Sequence, residues 1–410
     1  MNILLINHYA GSKNHGMEYR PYYLSREWVK QGHSVTIVAA SQSHLRTVQP
    51  RTNNDVQEEM IDGIRYLWLA TPGYSGNGVM RVCNMLTFVR RLFTIGGELA
   101  QSIRPDLVIA SSTYPLDIYP ARRIADKAGA SLIFEVHDLW PLSPMELGNM
   151  SRWHPFIMTM QRAENYAYHN ADKVVSMLPK AKGHMCEHGM APQKFVHIPN
   201  GIFKEEWNGE RKPLPDEHEA LISRLKLKNR FLVGYAGGHA VSNALDQLLD
   251  AAHLLQDSAV AFVLIGQGVE KDKLKEKAKN LGLNNLFFLP AVEKSAVPTV
   301  LEAMDLLYLG WSRNPLYRFG ICPNKLMDYM MAAKPVIHAV DAGNDLVAES
   351  GCGTSVEPEN AAAIAAAIIR LKSMSPSERK RMGEAGKDYV LTHHDYGVLA
   401  KEFILSIEAA

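Results

Sequence analysis

Short, mostly apolar runs recur along the chain, typically followed by a small polar or glycine-bearing turn and then by residues with helical spacing. In the first half the runs fall at residues 3–6, 34–39, 106–110, 132–136, 173–177 and 195–198. In the second they fall at 231–235, 261–265, 286–289, 306–310 and 336–337. Runs such as 3–6, unbroken and not alternating, predict strands buried on both faces, as in parallel sheets covered by helices. The rhythm changes once. Residues 204–229 are polar and charged and carry Pro213 and Pro215, the composition of a domain junction. The pattern therefore predicts an α/β chain with a Rossmann-like first domain at 1–205, a linker at 206–228, a second Rossmann-like domain at 229–390 and a closing helix within 391–410. Ser375 and Pro376 read as the N-cap and first turn of one late surface helix.

In a doubly wound fold the turns after the strands lie on one edge of the sheet, where ligands bind. The first such loop, residues 8–20, holds Gly11 and Gly16 but not G-x-G-x-x-G, so a dinucleotide site is not indicated. Gly16 would let the backbone approach a diphosphate, with His15 and Arg20 assisting; the other reading is a wet surface loop. His137 follows a strand end directly and is placed to touch a ligand, or to cap its loop with Asp138. Asp138 is either its orienting partner or a helix cap. Gly237 and Gly238, between strand and helix, suit a phosphate cradle. Residues 81–93 have helical period, with an apolar stripe at 82, 85, 86, 89, 92 and 93 and arginines beside it. Such a stripe packs on a core or, because arginines flank it, lies on a membrane surface.

The richest stretch is 317–337. A glycine-bearing loop over 317–322 runs into Pro323, a helix is predicted over 324–333, and Lys334-Pro335 ends it. Proline suits the first helical turn. The free N–H groups and positive dipole end of such a helix suit a phosphate. Arg318, Asn324, Lys325 and Leu326 cluster at its start; Lys325 adds a full charge, and Asp328, one turn on, would accept from ribose hydroxyls. The plain alternative is an ordinary amphipathic helix.

Composition narrows the class. The chain has 410 residues, 47% hydrophobic and 21% charged, with net charge +1, so bulk charge gives no argument for nucleic acid. Its four cysteines are scattered, with no C-x-x-C pair, and neither zinc nor disulfides are indicated by them. The start reads as a strand and not as a signal peptide, and no apolar run approaches the span of a bilayer; a cytoplasmic protein is expected.

The run 328–337, Asp-Tyr-Met-Met-Ala-Ala-Lys-Pro-Val-Ile, resembles the glutamate-alanine-methionine segment of the large family-four retaining glycosyltransferases, which have the GT-B fold. Pro323-Asn324-Lys325-Leu326 is similar to a subgroup that builds bacterial O-antigen or capsule, including N-acetyl-L-fucosamine transferases. The turn Pro199-Asn200-Gly201 also matches. The resemblance implies two Rossmann-like domains facing a central cleft, a C-terminal helix crossing back to the first domain, and no cofactor. It implies a UDP-sugar donor and a glycan or polyprenyl-diphosphate-linked acceptor at the inner membrane face, which the arginine-flanked stripe at 81–93 would contact peripherally. It places Asp328 on the ribose, Ala291 and Val292 on the base through their backbone, and His137 on the donor sugar. The family's second glutamate, eight residues earlier, is Gly320 here, and its cations near the first turn of the second domain are replaced by Gly238, His239 and Asn243. That shifts charge neutralisation to Lys325 and Arg318.

No two aspartates stand two apart, so the metal clamp of the other glycosyltransferase architecture is missing. Helix N-termini and protein cations would stabilise the leaving diphosphate. The expected catalytic set is His137, Asp138 and Lys325, with retention and proton transfer to the leaving phosphate; Asp138 or Glu135 as a covalent nucleophile is the alternative. A UDP-sugar 2-epimerase-like enzyme and a catalytically silent nucleotide-sugar-binding subunit also fit the pattern.

Overall fold

The computed structural model describes residues 1–16, 19–76, 78–209 and 211–408; positions 17 and 18 of the 8–20 loop lie outside them. The chain forms two compact units, Met1–Asn200 with Tyr396–Ala410, and Gly201–Asp395.

The first unit is an eight-stranded sheet: β1 (Asn2–Ile6), β2 (Ser34–Ala40), β3 (Val56–Ile61), β4 (Ile64–Leu69), β5 (Leu107–Ala110), β6 (Ser131–Val136), β7 (Lys173–Ser176) and β8 (Phe195–His197). The order is β3-β4-β2-β1-β5-β6-β7-β8. All pairs are parallel except β3 with β4, a hairpin turned at Asp62-Gly63, both at positive φ. β1 and β5 are fully buried over Ile3–Ile6 and Leu107–Ala110, which is why these segments read as unbroken apolar runs. The helices are α1 (Arg20–Lys30), α2 (Val79–Ile103), α3 (Ile118–Ala128), α4 (Leu142–Glu146), α5 (Pro155–Asn170) and α6 (Lys182–Glu187).

The closing helix, Tyr396–Glu408, belongs to this unit. Trp28 of α1, wholly buried, donates its indole N–H to the Ala400 carbonyl at 3.0 Å and meets Phe403 edge-on at 5.2 Å. Tyr23 packs on Tyr396.

The second unit is a six-stranded parallel sheet in the order β11-β10-β9-β12-β13-β14. Its strands are β9 (Phe231–Ala236), β10 (Val260–Ile265), β11 (Leu286–Leu289), β12 (Leu306–Gly310), β13 (Val336–Ala339) and β14 (Gly353–Val356). The described residues of 206–228, expected as a linker, fold into this unit: Trp207, Ile222 and Leu225 are buried in one core with Leu301, Leu307 and Met330. The helix Pro376–His393 starts with a complete capping box from Ser375 and Glu378.

α2 differs from its expected stripe. Met85, Phe88, Val89, Leu92, Leu99 and Ala100 face the core, whereas Leu86 and Phe93 are exposed with Val79 and Met80. The helix thus carries two apolar stripes, and the sequence pattern merged them. Among the described residues no helix is long and apolar enough to cross a membrane.

Candidate functional site

Each sheet reverses its order once, between β1 and β5 in the first unit and between β9 and β12 in the second. The carboxyl ends of those strands are where a doubly wound fold opens a crevice.

In the second unit, β9 ends at Ala236 and turns through Gly237-Gly238. Gly237 has φ +154, and a Cβ there would lie 2.5 Å from the Lys325 Cε. A Cβ on Gly266, at the end of β10, would lie 1.9 Å from the Gly237 carbonyl oxygen. The two turns therefore pack backbone on backbone, with the Gly237 N–H donating to the Ile265 carbonyl at 2.9 Å.

Lys325 reaches this turn from the helix Asn324–Met331. Its ammonium donates to Asn243 Oδ1 at 2.8 Å and to the Tyr235 hydroxyl at 3.0 Å, and sits 5.3 Å from the Tyr235 ring centre. Tyr235 and Asn243 in turn both donate to the Gly238 carbonyl, at 2.6 and 2.9 Å. Burial pushes the Lys325 ammonium down to about 8. His239, fully buried with neither ring nitrogen hydrogen-bonded, is pushed down to about 4 by burial and by the cations Lys271 and Lys325. It is neutral at pH 7, so the positive charge of this corner rests on the lysines.

Asp328 lies one turn beyond Lys325, half-buried, and accepts from the Trp207 indole N–H at 3.3 Å. Burial pushes its carboxyl up to about 6. Pro323 occupies the N-cap and not the first turn of this helix. Asn324 is exposed at its first position. Leu326, expected to bind the donor, is instead a core residue at 1% exposure, and its N–H is bonded to the Pro323 carbonyl. Arg318 is exposed in the 3-10 turn Pro315–Phe319; its guanidinium bonds the Pro315 carbonyl and covers the Phe319 ring. Gly320, where the resembling family has glutamate, is buried at φ +99, a conformation that disfavours any side chain. Ala291, exposed, and Val292, half-buried, follow β11 on the same edge of the sheet.

In the first unit the edge is stitched by polar groups. The Asn7 amide donates to the Ser111 carbonyl at 2.7 Å, and the His8 N–H to Ser112 Oγ at 3.0 Å. Ser111 Oγ donates to Glu135 Oε2 at 2.6 Å and lies 2.9 Å from His137 Nε2, itself 3.3 Å from Glu135 Oε2. Glu135 and Ser111, not Asp138, orient His137. Asp138 accepts from Ser143 Oγ at 2.6 Å, beside the start of α4. Glu135, at 1% exposure, is paired with Arg20 at 3.0 Å; neither is open to a substrate, which removes Glu135 as a nucleophile and Arg20 as an assisting cation. The Arg20 guanidinium is spent on Glu135 and on the Ile198 and Pro199 carbonyls.

The 8–16 loop is folded down, with only Lys13 and Asn14 exposed. Gly16 has φ +84 and closes a turn on Ser12, and a Cβ there would lie 2.6 Å from Thr47 Oγ1. His15 is buried against Trp68 and bonds Ser12. One acid escaped the sequence reading. Asp117, fully buried beside the same edge, accepts from the Ser112 N–H at 3.1 Å, and its other oxygen has no hydrogen bond. Burial pushes it up to about 7.

Residues 15–201 match the model of the Glycosyl transferase 4-like domain, and residues 219–389 that of Glycosyl transferases group 1. WcaI of Escherichia coli K12, named for colanic acid biosynthesis, is 22% identical over 359 residues, 83% of this chain and 85% of its own. WbjE of Pseudomonas aeruginosa, named as a glycosyltransferase, is 24% identical over 74% of this chain and 77% of its own. Among solved structures, HepE of Anabaena in complex with UDP and glucose superposes with a TM-score of 0.66 over all of both chains at 16% identity.

Proposed function

The chain belongs to the family-four glycosyltransferases, of GT-B fold, and on that premise we propose that it transfers a sugar from a UDP-sugar to a glycan or polyprenyl-diphosphate-linked acceptor in bacterial surface-polysaccharide synthesis. The observation that carries this reading is the uncompensated Lys325 ammonium against the Gly237-Gly238 turn, with the Asp328 carboxyl one turn away. A cation, a glycine turn and a helix N-terminus together suit a diphosphate, and a carboxylate at that spacing suits a ribose diol. The UDP and glucose bound to HepE support the donor class.

In this reading Lys325, the Asn324 amide and the Gly237-Gly238 backbone hold the diphosphate, with Arg318 as a second cation once it leaves Pro315. The backbone at Ala291 and Val292 takes the base, and His137 contacts the sugar. The bond between the anomeric carbon and the diphosphate oxygen breaks. The acceptor oxygen bonds to that carbon on the same face, and its proton passes to the leaving phosphate. Protein cations do the work of a metal ion at the diphosphate. The exposed stripe of α2, with Leu86, Arg90 and Phe93, is assigned to the membrane carrying the acceptor.

Thermal-shift measurements with UDP-, GDP- and dTDP-sugars test the donor. UDP-sugar at one hundred times its Kd adds about 2.7 kcal/mol to folded-state stability; stabilisation by GDP-sugars alone overturns the assignment. Asp328→Ala raises the donor KM about 10–100-fold, since a hydrogen bond to a charged group is worth about 1.5–3 kcal/mol, and changes kcat much less.

Both ionisations set the pH profile. Asp328 must be ionised to accept from the ribose, so kcat/KM rises with pH through about 6. Lys325 must be protonated, so kcat/KM falls above about 8. In Asp328→Asn the acid limb near 6 disappears and the alkaline limb stays; an acid limb that survives assigns it to another group.

A further inference from the structure

α5 and α6 carry a cluster that the transfer reaction does not use. One ligand atom from each of Glu164, His184 and His188 lies within 4.8 Å of the others. Glu164, on α5, is 2% exposed. Its carboxylate accepts from the Tyr168 hydroxyl at 2.9 Å and from the Gln161 amide at 2.7 Å. His184, on α6, brings Nε2 to 3.9 Å from Glu164 Oε1. His188 stands four residues later, at the end of the same helix, with the two imidazole rings 4.5 Å apart. The Gln161 amide is also 3.1 Å from His188 Nδ1.

We propose that this cluster is a binding site for a transition-metal dication of the Zn²⁺ class, tying α5 to the end of α6. Two imidazoles four residues apart and one carboxylate are a donor set for tetrahedral zinc and a poor one for magnesium or calcium, which take oxygen. Metal–ligand bonds of about 2.0 Å place tetrahedral ligands about 3.3 Å apart, so closing the site needs the imidazoles to rotate inward by roughly an ångström. His188 is half-buried, which leaves that rotation and the entry of an ion open on its side, whereas His184, at 11% side-chain exposure, has its Nε2 shielded from solvent. The carboxylate is already fixed by Tyr168 and Gln161, the outer hydrogen bonds that orient metal ligands. A carboxylate buried this deeply is costly, and a dication offsets that cost. Water completes the fourth position.

The test uses the full chain, stripped with a chelator and titrated with Co²⁺ and then Zn²⁺. The expected result is one equivalent of Co²⁺ with the intense visible absorption of tetrahedral geometry, displaced by Zn²⁺, and a melting temperature raised by Zn²⁺. His184→Ala/His188→Ala, and the half-exposed His188→Ala alone as a fold control, lose at least about 100-fold in affinity and the thermal shift. Tyr168→Phe loses about 10-fold. Absence of saturable binding, equal binding in the His188→Ala variant, or octahedral Co²⁺ spectra overturn the site.

Discussion

Replacing Lys325 by alanine is expected to lower kcat for sugar transfer about 10²–10³-fold, about 2.7–4 kcal/mol of transition-state stabilisation, while leaving the melting temperature close to wild type. The size follows from how the ammonium is kept. Its hydrogen-bond partners, Asn243 Oδ1 and the Tyr235 hydroxyl, are neutral, so its charge is not spent on a carboxylate. Burial has already removed much of its water and lowered it to about 8. A departing diphosphate gains negative charge as the glycosidic bond breaks, and a desolvated, preoriented cation meets that charge without reorganising. The neighbouring His239 cannot substitute, because burial and the Lys271 ammonium still hold it down when Lys325 is gone.

Kinetics at saturating donor decide the matter. A variant with wild-type kcat and only a raised donor KM would mean that Lys325 binds ground state and transition state alike, which would end its catalytic assignment. Lys325→Arg should recover part of the loss. Its charge is retained, but a planar fork is longer than the space left by the Gly237 turn, where a single added carbon already approaches the lysine stem at 2.5 Å.

The strands were legible because runs such as 3–6 and 261–265 are apolar throughout, too short for a helix and bounded by turn residues, which is the pattern of burial on both faces of a sheet. The edge of the sheet is legible for the same reason, and His137 and Gly237 follow strand ends directly, with Lys325 at the start of the helix after one. What escaped was pairing at long range. Arg20 reads as a loop cation until Glu135, 115 positions on, is seen against it. Asp328 reads as a ribose ligand, and nothing nearby in the chain announces the Trp207 indole, 121 positions earlier, that bonds it. Asp117 sits in a stretch, Tyr114-Pro-Leu-Asp117, that looks like a surface turn and is fully buried. Leu326 was misplaced by one step of helical rotation: Lys325 and Asp328 share the ligand face, and the residue between them that follows Lys325 turns inward. α2 failed differently, since a helix with two apolar stripes has no single period from which to choose the buried one.

Glu135→Ala is expected to destabilise the first unit by about 3–5 kcal/mol, because it leaves the Arg20 guanidinium buried and unpaired. Both side chains are 1% exposed, with Arg20 Nε and Nη2 each 3.0 Å from Oε1. At about 2–4 °C per kcal/mol for a unit of this size, the corresponding thermal transition falls by roughly 6–20 °C. The double variant Arg20→Met/Glu135→Leu should recover much of that stability, since no buried charge then remains. A double variant no more stable than Glu135→Ala would show that the loss comes from packing and not from the orphaned cation. The acid side gives an independent reading. Burial alone would push the Glu135 carboxyl up, but the Arg20 guanidinium and the His137 and Ser111 hydrogen bonds hold it well below its ordinary 4.5. A depressed folded-state pKa means stabilisation that is complete above about 4.5 and lost as the pH falls further; wild type should therefore lose stability steeply below that point, and the double variant less so. Activity separates the two roles of this glutamate. Its second oxygen accepts from Ser111 and lies 3.3 Å from His137 Nε2, so Glu135→Gln, which keeps the shape, should retain more fold than Glu135→Ala and still lower kcat by loosening the His137 ring.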